Sequence, residues 1–154
     1  MKEKQIEMLL VDDNSADVEL TLHALRKENL ANAIHVARDG EEALDFFFGC
    51  NRQPASQSLP KLVLLDLKMP KIDGMEVLRQ IKANPYTRMI PVVILTSSKQ
   101  EQDLISVYSL GANSYIQKPV NFYEFKNTIK NLGLYWMLIN QPPPFSCSES
   151  ATDA

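Results

Sequence analysis

Cysteine is scarce in this chain, and a strong net charge and a long apolar run are both missing. The two cysteines among 154 residues, Cys50 and Cys147, are too few for a disulfide framework and have no metal-ligand spacing. Lys and Arg number 16 against 19 Asp and Glu, a net charge of −3. So mild an acidic balance leaves no electrostatic footprint for nucleic acid and argues against a DNA-binding effector. The first seven residues are charged and lack an apolar centre, so no secretory signal is expected. The longest uncharged stretch, 131–148, holds Asn140, Gln141 and three prolines and cannot span a membrane. Apolar residues at 45% and charged residues at 23% are ordinary for a globular protein, and the length suits one domain. A cytoplasmic single-domain protein is expected, with neither nucleic acid nor membrane among its partners.

Short apolar runs alternate with longer amphipathic stretches. The runs are Met8–Val11, Ile34–Ala37, Leu62–Leu65, Val92–Leu95 and Ser114–Ile116. Three of them are nearly continuous in apolar residues, as strands covered on both faces of a parallel sheet must be. Between them Val18, Leu22 and Leu25 fall on one helical face, with Asp17 and Glu19 favourable near the helix start. Asp39 and Glu42 read as a cap and its reaching acid ahead of Ala43, Leu44, Phe47 and Phe48. Gly74, Val77, Leu78 and Ile81 make a clean stripe that stops before Pro85. Leu104, Val107 and Tyr108 make a weaker one, and Phe122, Phe125, Ile129 and Leu132 form the last. Five β-α units with right-handed crossovers predict an α/β fold, a doubly wound five-stranded parallel sheet. Ligands of such sheets bind beyond the carboxyl ends of the strands.

That rule selects few polar residues. The first strand ends in Asp12-Asp13, the third in Asp66 and the fourth in Thr96, and the fifth is followed by Lys118-Pro119. Clustered carboxylates repel by roughly 4 kcal/mol per pair at 4 Å and an effective dielectric near 20. A hard divalent cation offsets this, and Mg²⁺ suits a site of a few carboxylates, waters and a phosphoryl group. A carboxylate can also be a nucleophile that forms an aspartyl phosphate, with metal and Lys118 stabilising the phosphoryl oxygens and Thr96 donating to them. Singly, each residue also reads as a helix cap, a solvated turn or an ordinary loop. Jointly, each stands at the end of the strand where that chemistry needs it.

The segments LLVDDN (9–14), LLDLKMPKIDG (64–74), VVILTSS (92–98) and GANSYIQKPV (111–120) resemble those of the CheY-like response-regulator receiver domains. The spacings match that family: 30 residues from Asp66 to Thr96 and 22 from Thr96 to Lys118. The resemblance covers residues 5–132. It implies a flavodoxin-like sheet of order 2-1-3-4-5. Asp66 would be the phosphoacceptor, and Mg²⁺ would be held by Asp13 directly, Asp12 mainly through water, Asp66 and the backbone carbonyl of Lys68. Lys118 would contact the phosphoryl group and its bond to Pro119 would be cis. Thr96 and Tyr115 would be the switch pair, Tyr115 being otherwise a half-buried sheet aromatic. Gly74 and Met69-Pro70 would shape the loop after the third strand.

Residues 133–154 read as an aromatic extension and a disordered tail, with Gly133 capping the last helix or carried through it. Six successive large apolar residues, 134–139, cannot all face one core, so Tyr135, Trp136 and Met137 are candidates for an interface, unless they fold back on their own domain. The polar loop 49–60 and the aromatic extension resemble single-domain receivers that partner phytochrome-type sensor histidine kinases. That likeness implies a homodimer through the face of the fourth helix, fifth strand and fifth helix. No output domain and no catalytic turnover are expected. An aspartate-nucleophile phosphatase of haloacid dehalogenase type is the alternative, but it needs an acid two residues after the nucleophile, where Lys68 stands. A flavodoxin-like cofactor binder would need a hydroxyl- or Gly-rich phosphate loop where Asp12-Asp13 lies.

Overall fold

The computed structural model describes residues 7–27, 29, 33–49, 59–97, 100–119 and 121–141. Most of the polar loop (50–58), both cysteines and the tail from Pro142 lie outside the described residues.

The elements alternate as the apolar periodicity requires. They are β1 (Met8–Val11), α1 (Ser15–Lys27), β2 (Ile34–Ala37), α2 (Gly40–Phe48), β3 (Leu62–Leu65), α3 (Gly74–Ala83), β4 (Val92–Thr96), α4 (Glu101–Leu110), β5 (Ser114–Gln117) and α5 (Phe122–Gly133). All strand pairs are parallel and the order is β2-β1-β3-β4-β5. The three continuous apolar runs are the three central strands, buried along their whole length. The edge strands β2 and β5 are only partly covered, which is why their sequences are mixed.

Strand alternation splits the core in two. Leu9, Val11, Val63, Leu65, Val92 and Ile94 face Phe47 of α2, Val77 and Ile81 of α3 and Val107 of α4. Met8, Leu10, Leu62, Leu64, Val93 and Leu95 face Val18 and Leu25 of α1 and Phe125, Ile129 and Leu132 of α5. Asp39 caps α2 as expected, accepting from the Glu42 amide at 2.8 Å, and Asp73 caps α3 in the same way at 3.1 Å.

Two helical stripes differ from expectation. Phe122, the first residue of α5, is exposed, with the Lys126 ammonium 5.4 Å from its ring centre. Of the α4 stripe Val107 alone is buried, while Leu104, Ile105 and Tyr108 face outward. The chain passes helically through Gly133 (φ −61°, ψ −43°) into a π-helical segment, Leu134–Ile139. Leu134, Trp136 and Met137 are half-buried against the core of α1 and α5. Tyr135 is exposed, edge-on to Trp136 at 5.1 Å. No described helix is long and apolar enough to cross a membrane.

Candidate functional site

The strand ends converge at one edge of the sheet. Asp12 follows β1, Asp66 follows β3, Thr96 ends β4 and Lys118 follows β5. Because Val11 pairs with Leu65, Asp12 and Asp66 leave the sheet side by side. Backbone hydrogen bonds fix these ends. The Asp12 amide donates to the Ala37 carbonyl (3.1 Å), that of Asp66 to Val11 (2.9 Å) and that of Lys118 to Thr96 (2.7 Å). Gly74 starts α3 against this edge. A Cβ there would collide with the Asp66 carbonyl oxygen and lie 2.7 Å from the Leu67 Cα, so a side chain would push the helix off the site. The loop before it holds Lys71 at φ +64°, a left-handed conformation that costs a β-carbon residue about 1–2 kcal/mol.

Asp12, Asp13 and Asp66 each offer a carboxylate oxygen within 4.8 Å of the other two. Asp12 and Asp66 are buried and Asp13 is exposed, so the cluster meets solvent on the Asp13 side. Octahedral Mg²⁺ at 2.0–2.1 Å sets its ligand oxygens about 3–4 Å apart, so these three carboxylates fit a hard divalent cation after a small contraction.

Lys118 is the counter-charge, its side chain only 8% exposed. Its ammonium donates to Asp12 Oδ2 at 2.8 Å, to Asp17 Oδ2 at 2.8 Å and, longer, to Asp66 Oδ2 at 3.4 Å. Asp66 Oδ1 faces the Lys68 amide at 3.4 Å, and Asp12 Oδ1 accepts from the Asn14 amide at 3.0 Å. Burial pushes the Asp12 carboxyl up to about 6, even against Lys118 and the Asn14 amide. Burial also opposes charge on Lys118, but its hydrogen bonds to Asp12 and Asp17 outweigh this and hold it above the ordinary lysine range. One ammonium therefore stays charged among four carboxylates and leaves Asp12 undercompensated.

Asp17 is the site residue that sequence reasoning missed. It reads as a helix-start acid, and the convergence of α1 on Lys118 leaves no mark in the local pattern. Thr96 is fully buried, and Tyr115 is half-buried against the core of α2–α4, in register with Ile94. Alternation along β4 puts Thr96 on the same sheet face as Ile94, hence beside Tyr115. The expectation of a cis bond at Pro119 is not met. No peptide bond among the described residues is cis, and the Lys118–Pro119 bond keeps the trans form that X-Pro generally favours by about 0.5–1 kcal/mol. The Lys68 side chain points away to Asp103 of α4 at 3.3 Å, 59% exposed. Tyr135, Trp136 and Met137 lie roughly 20 Å further along the axis that α5 begins at the site edge, and take no part in it.

Residues 8–130 match the family described as Response regulator receiver domain. The chain belongs to this family. The receiver is 42% identical over 136 residues to the probable methanogenesis regulatory protein FilR2 of Methanothrix harundinacea, covering 88% of this chain and 86% of that one. It is 37% identical over 130 residues to response regulator Rcp1 of Synechocystis sp., covering 84% and 88%. The Mn(2+)-bound form of Rcp1 superposes with a TM-score of 0.80 at 35% identity, over 90% of this chain and 99% of that chain. The bacteriophytochrome response regulator AtBRR is 49% identical over 90% of this chain and all of that one, with a TM-score of 0.64. A receiver for two-component signalling with an acidic pocket for a divalent cation replaces the phosphatase alternative, for which position 68 offers an ammonium in place of an acid.

Proposed function

We propose that this receiver accepts a phosphoryl group on Asp66 from the phosphohistidine of a sensor kinase, with Mg²⁺ in the acidic cluster, and signals by a change of shape. The observation that carries this reading is the Asp66 carboxylate, buried at the end of β3, sharing one oxygen cluster with Asp12 and Asp13 and facing Lys118 at 3.4 Å. An Asp66 oxygen attacks phosphorus, the nitrogen–phosphorus bond breaks, and the imidazole, already protonated on its other ring nitrogen in the phosphohistidine, keeps the bonding pair and leaves as the neutral base. Asp13, Asp12 through water, Asp66 and the Lys68 carbonyl would hold the metal, which when bound neutralises the carboxylates and the phosphoryl oxygens. Lys118 supplies the remaining positive charge. Its burial keeps bulk water away, so that charge acts with little screening.

The new phosphoryl group carries roughly −1.5 to −2 charge. Thr96 gains a charge-assisted hydrogen bond to it, and Tyr115, on the same sheet face, repacks against the space left. Exposed Leu104, Ile105 and Tyr108 on α4 support a homodimer through α4, β5 and α5. The likeness to the bacteriophytochrome response regulator AtBRR favours a phytochrome-type kinase as partner, and we place the exchange in the cytoplasm. Radiolabelled acetyl phosphate tests the acceptor: labelling should need a divalent cation and vanish in Asp66→Asn. Undiminished labelling of Asp66→Asn would remove the proposed role.

A further inference from the structure

The Asp17–Lys118 ion pair is not required by any step above. Its 2.8 Å contact is as short as that of Lys118 with Asp12, and shorter than that with Asp66. Asp17 comes from a different element from the other three carboxylates, the first turn of α1. Asn14 caps that helix, its Oδ1 accepting from the Asp17 amide at 3.0 Å, and this fixes the backbone from which the carboxylate reaches Lys118. The Asp17 side chain is 22% exposed, so the pair is partly sheltered from water.

A divalent cation entering among Asp12, Asp13 and Asp66 takes over two of the three partners of the Lys118 ammonium. It also repels that ammonium across a few ångströms of low-dielectric space. Among the described residues, Asp17 is the one partner outside the metal cluster. We propose that Asp17 is a positioning residue: it retains the Lys118 ammonium inside the site when a divalent cation displaces it from Asp12 and Asp66, leaving it poised for the phosphoryl group. This rests on the reading of the site given above. A plain structural reading competes with it. An acid in the first turn of a helix favours the helix dipole whatever it touches, and such an effect would not depend on Lys118.

The decisive measurement is Mg²⁺ binding to the full chain by titration calorimetry, with no phosphoryl donor present. Asp17→Asn should weaken Mg²⁺ binding by about 3–10-fold, because the displaced ammonium then has nowhere to go. In a Lys118→Ala background the same substitution should change binding less than twofold, a non-additivity that coupling between the two residues gives and an independent helix-dipole effect does not. Lys118→Met serves where alanine does not fold, and Asp17→Glu, which keeps the charge, should bind within about twofold of wild type. With saturating Mg²⁺ and acetyl phosphate, Asp17→Asn should also label more slowly, by about 3–10-fold. Equal loss of Mg²⁺ affinity in both backgrounds, or none in either, would overturn the positioning role while wild-type labelling stands. Wild-type protein that neither binds Mg²⁺ nor labels would overturn the site reading and this inference with it.

Discussion

The burial of Asp12 has a cost that can be removed by one substitution. Its carboxyl is raised from 3.8 to about 6 by desolvation. At 1.36 kcal/mol per unit, that shift weakens the folded state by about 3 kcal/mol at neutral pH. The sign follows from proton uptake. Between pH 3.8 and about 6 the folded chain binds more protons than the unfolded one, so stability falls as pH rises through that window. The deficit is complete above it and absent below. Asp12→Asn keeps the shape and the acceptor for the Asn14 amide, and Lys118 keeps Asp17 and Asp66. The net shift already contains the Asp12–Lys118 attraction; what offsets part of the gain is that the new amide NH2, with its oxygen kept for Asn14, faces the Lys118 ammonium donor to donor. We therefore expect Asp12→Asn to stabilise the metal-free protein by about 1–3 kcal/mol at pH 7.5. For a chain of this size that is a rise in Tm of roughly 2–12 °C. The assay is thermal unfolding in EDTA at pH 7.5 and at pH 4.5, repeated with Mg²⁺ at the higher pH. The advantage of the variant should shrink at pH 4.5, and Mg²⁺ should stabilise wild type more than the variant. Destabilisation by Asp12→Asn at pH 7.5, or an advantage unchanged at pH 4.5, would refute the reasoning.

Mg²⁺ affinity should fall as pH drops below about 6, by up to tenfold per unit, because Asp12 must lose its proton to serve a metal; calorimetry from pH 7.5 to 5 checks this. Gly74→Ala should cost about 1–3 kcal/mol in urea unfolding and slow labelling, since the added methyl meets the Asp66 carbonyl. Trp136→Ala should cost about 1–3 kcal/mol through lost packing, whereas exposed Tyr135→Ala should stay within about 0.5 kcal/mol. If residues near α5 also carry the dimer, sedimentation equilibrium should show weaker association in Tyr135→Ala.

The strands and the edge that carries the chemistry were legible in the chain because burial dictates them, whereas the strand order followed only from the resemblance to receiver domains. Leu62–Leu65 can be so apolar only if both faces are covered, and the acid that follows must stand at the sheet's rim. The spacing of Asp66, Thr96 and Lys118 carried the same information at longer range. Asp17 was not legible, because its partner is Lys118, 101 residues away, and a first-turn acid satisfies local helix rules without one. Trp136 and Met137 were ambiguous for a similar reason. An apolar run after a glycine fits an interface or a continued helix equally well; Gly133 is helical and Trp136 and Met137 pack half-buried against α1 and α5, which leaves their remaining surface open to an interface. Lys71 in a left-handed turn is likewise invisible to composition, since that conformation is usually announced by glycine or asparagine.

The central claim is that the Asp66 carboxylate becomes an acyl phosphate. Borohydride cleaves an acyl phosphate to an alcohol, so reduction of the labelled protein followed by peptide mapping locates the acceptor. The account predicts a homoserine at position 66 that forms only when a divalent cation and a phosphoryl donor are both present. A reduced residue at Asp12, Asp13 or Asp17, or modification at position 66 that proceeds equally well in EDTA, would contradict it.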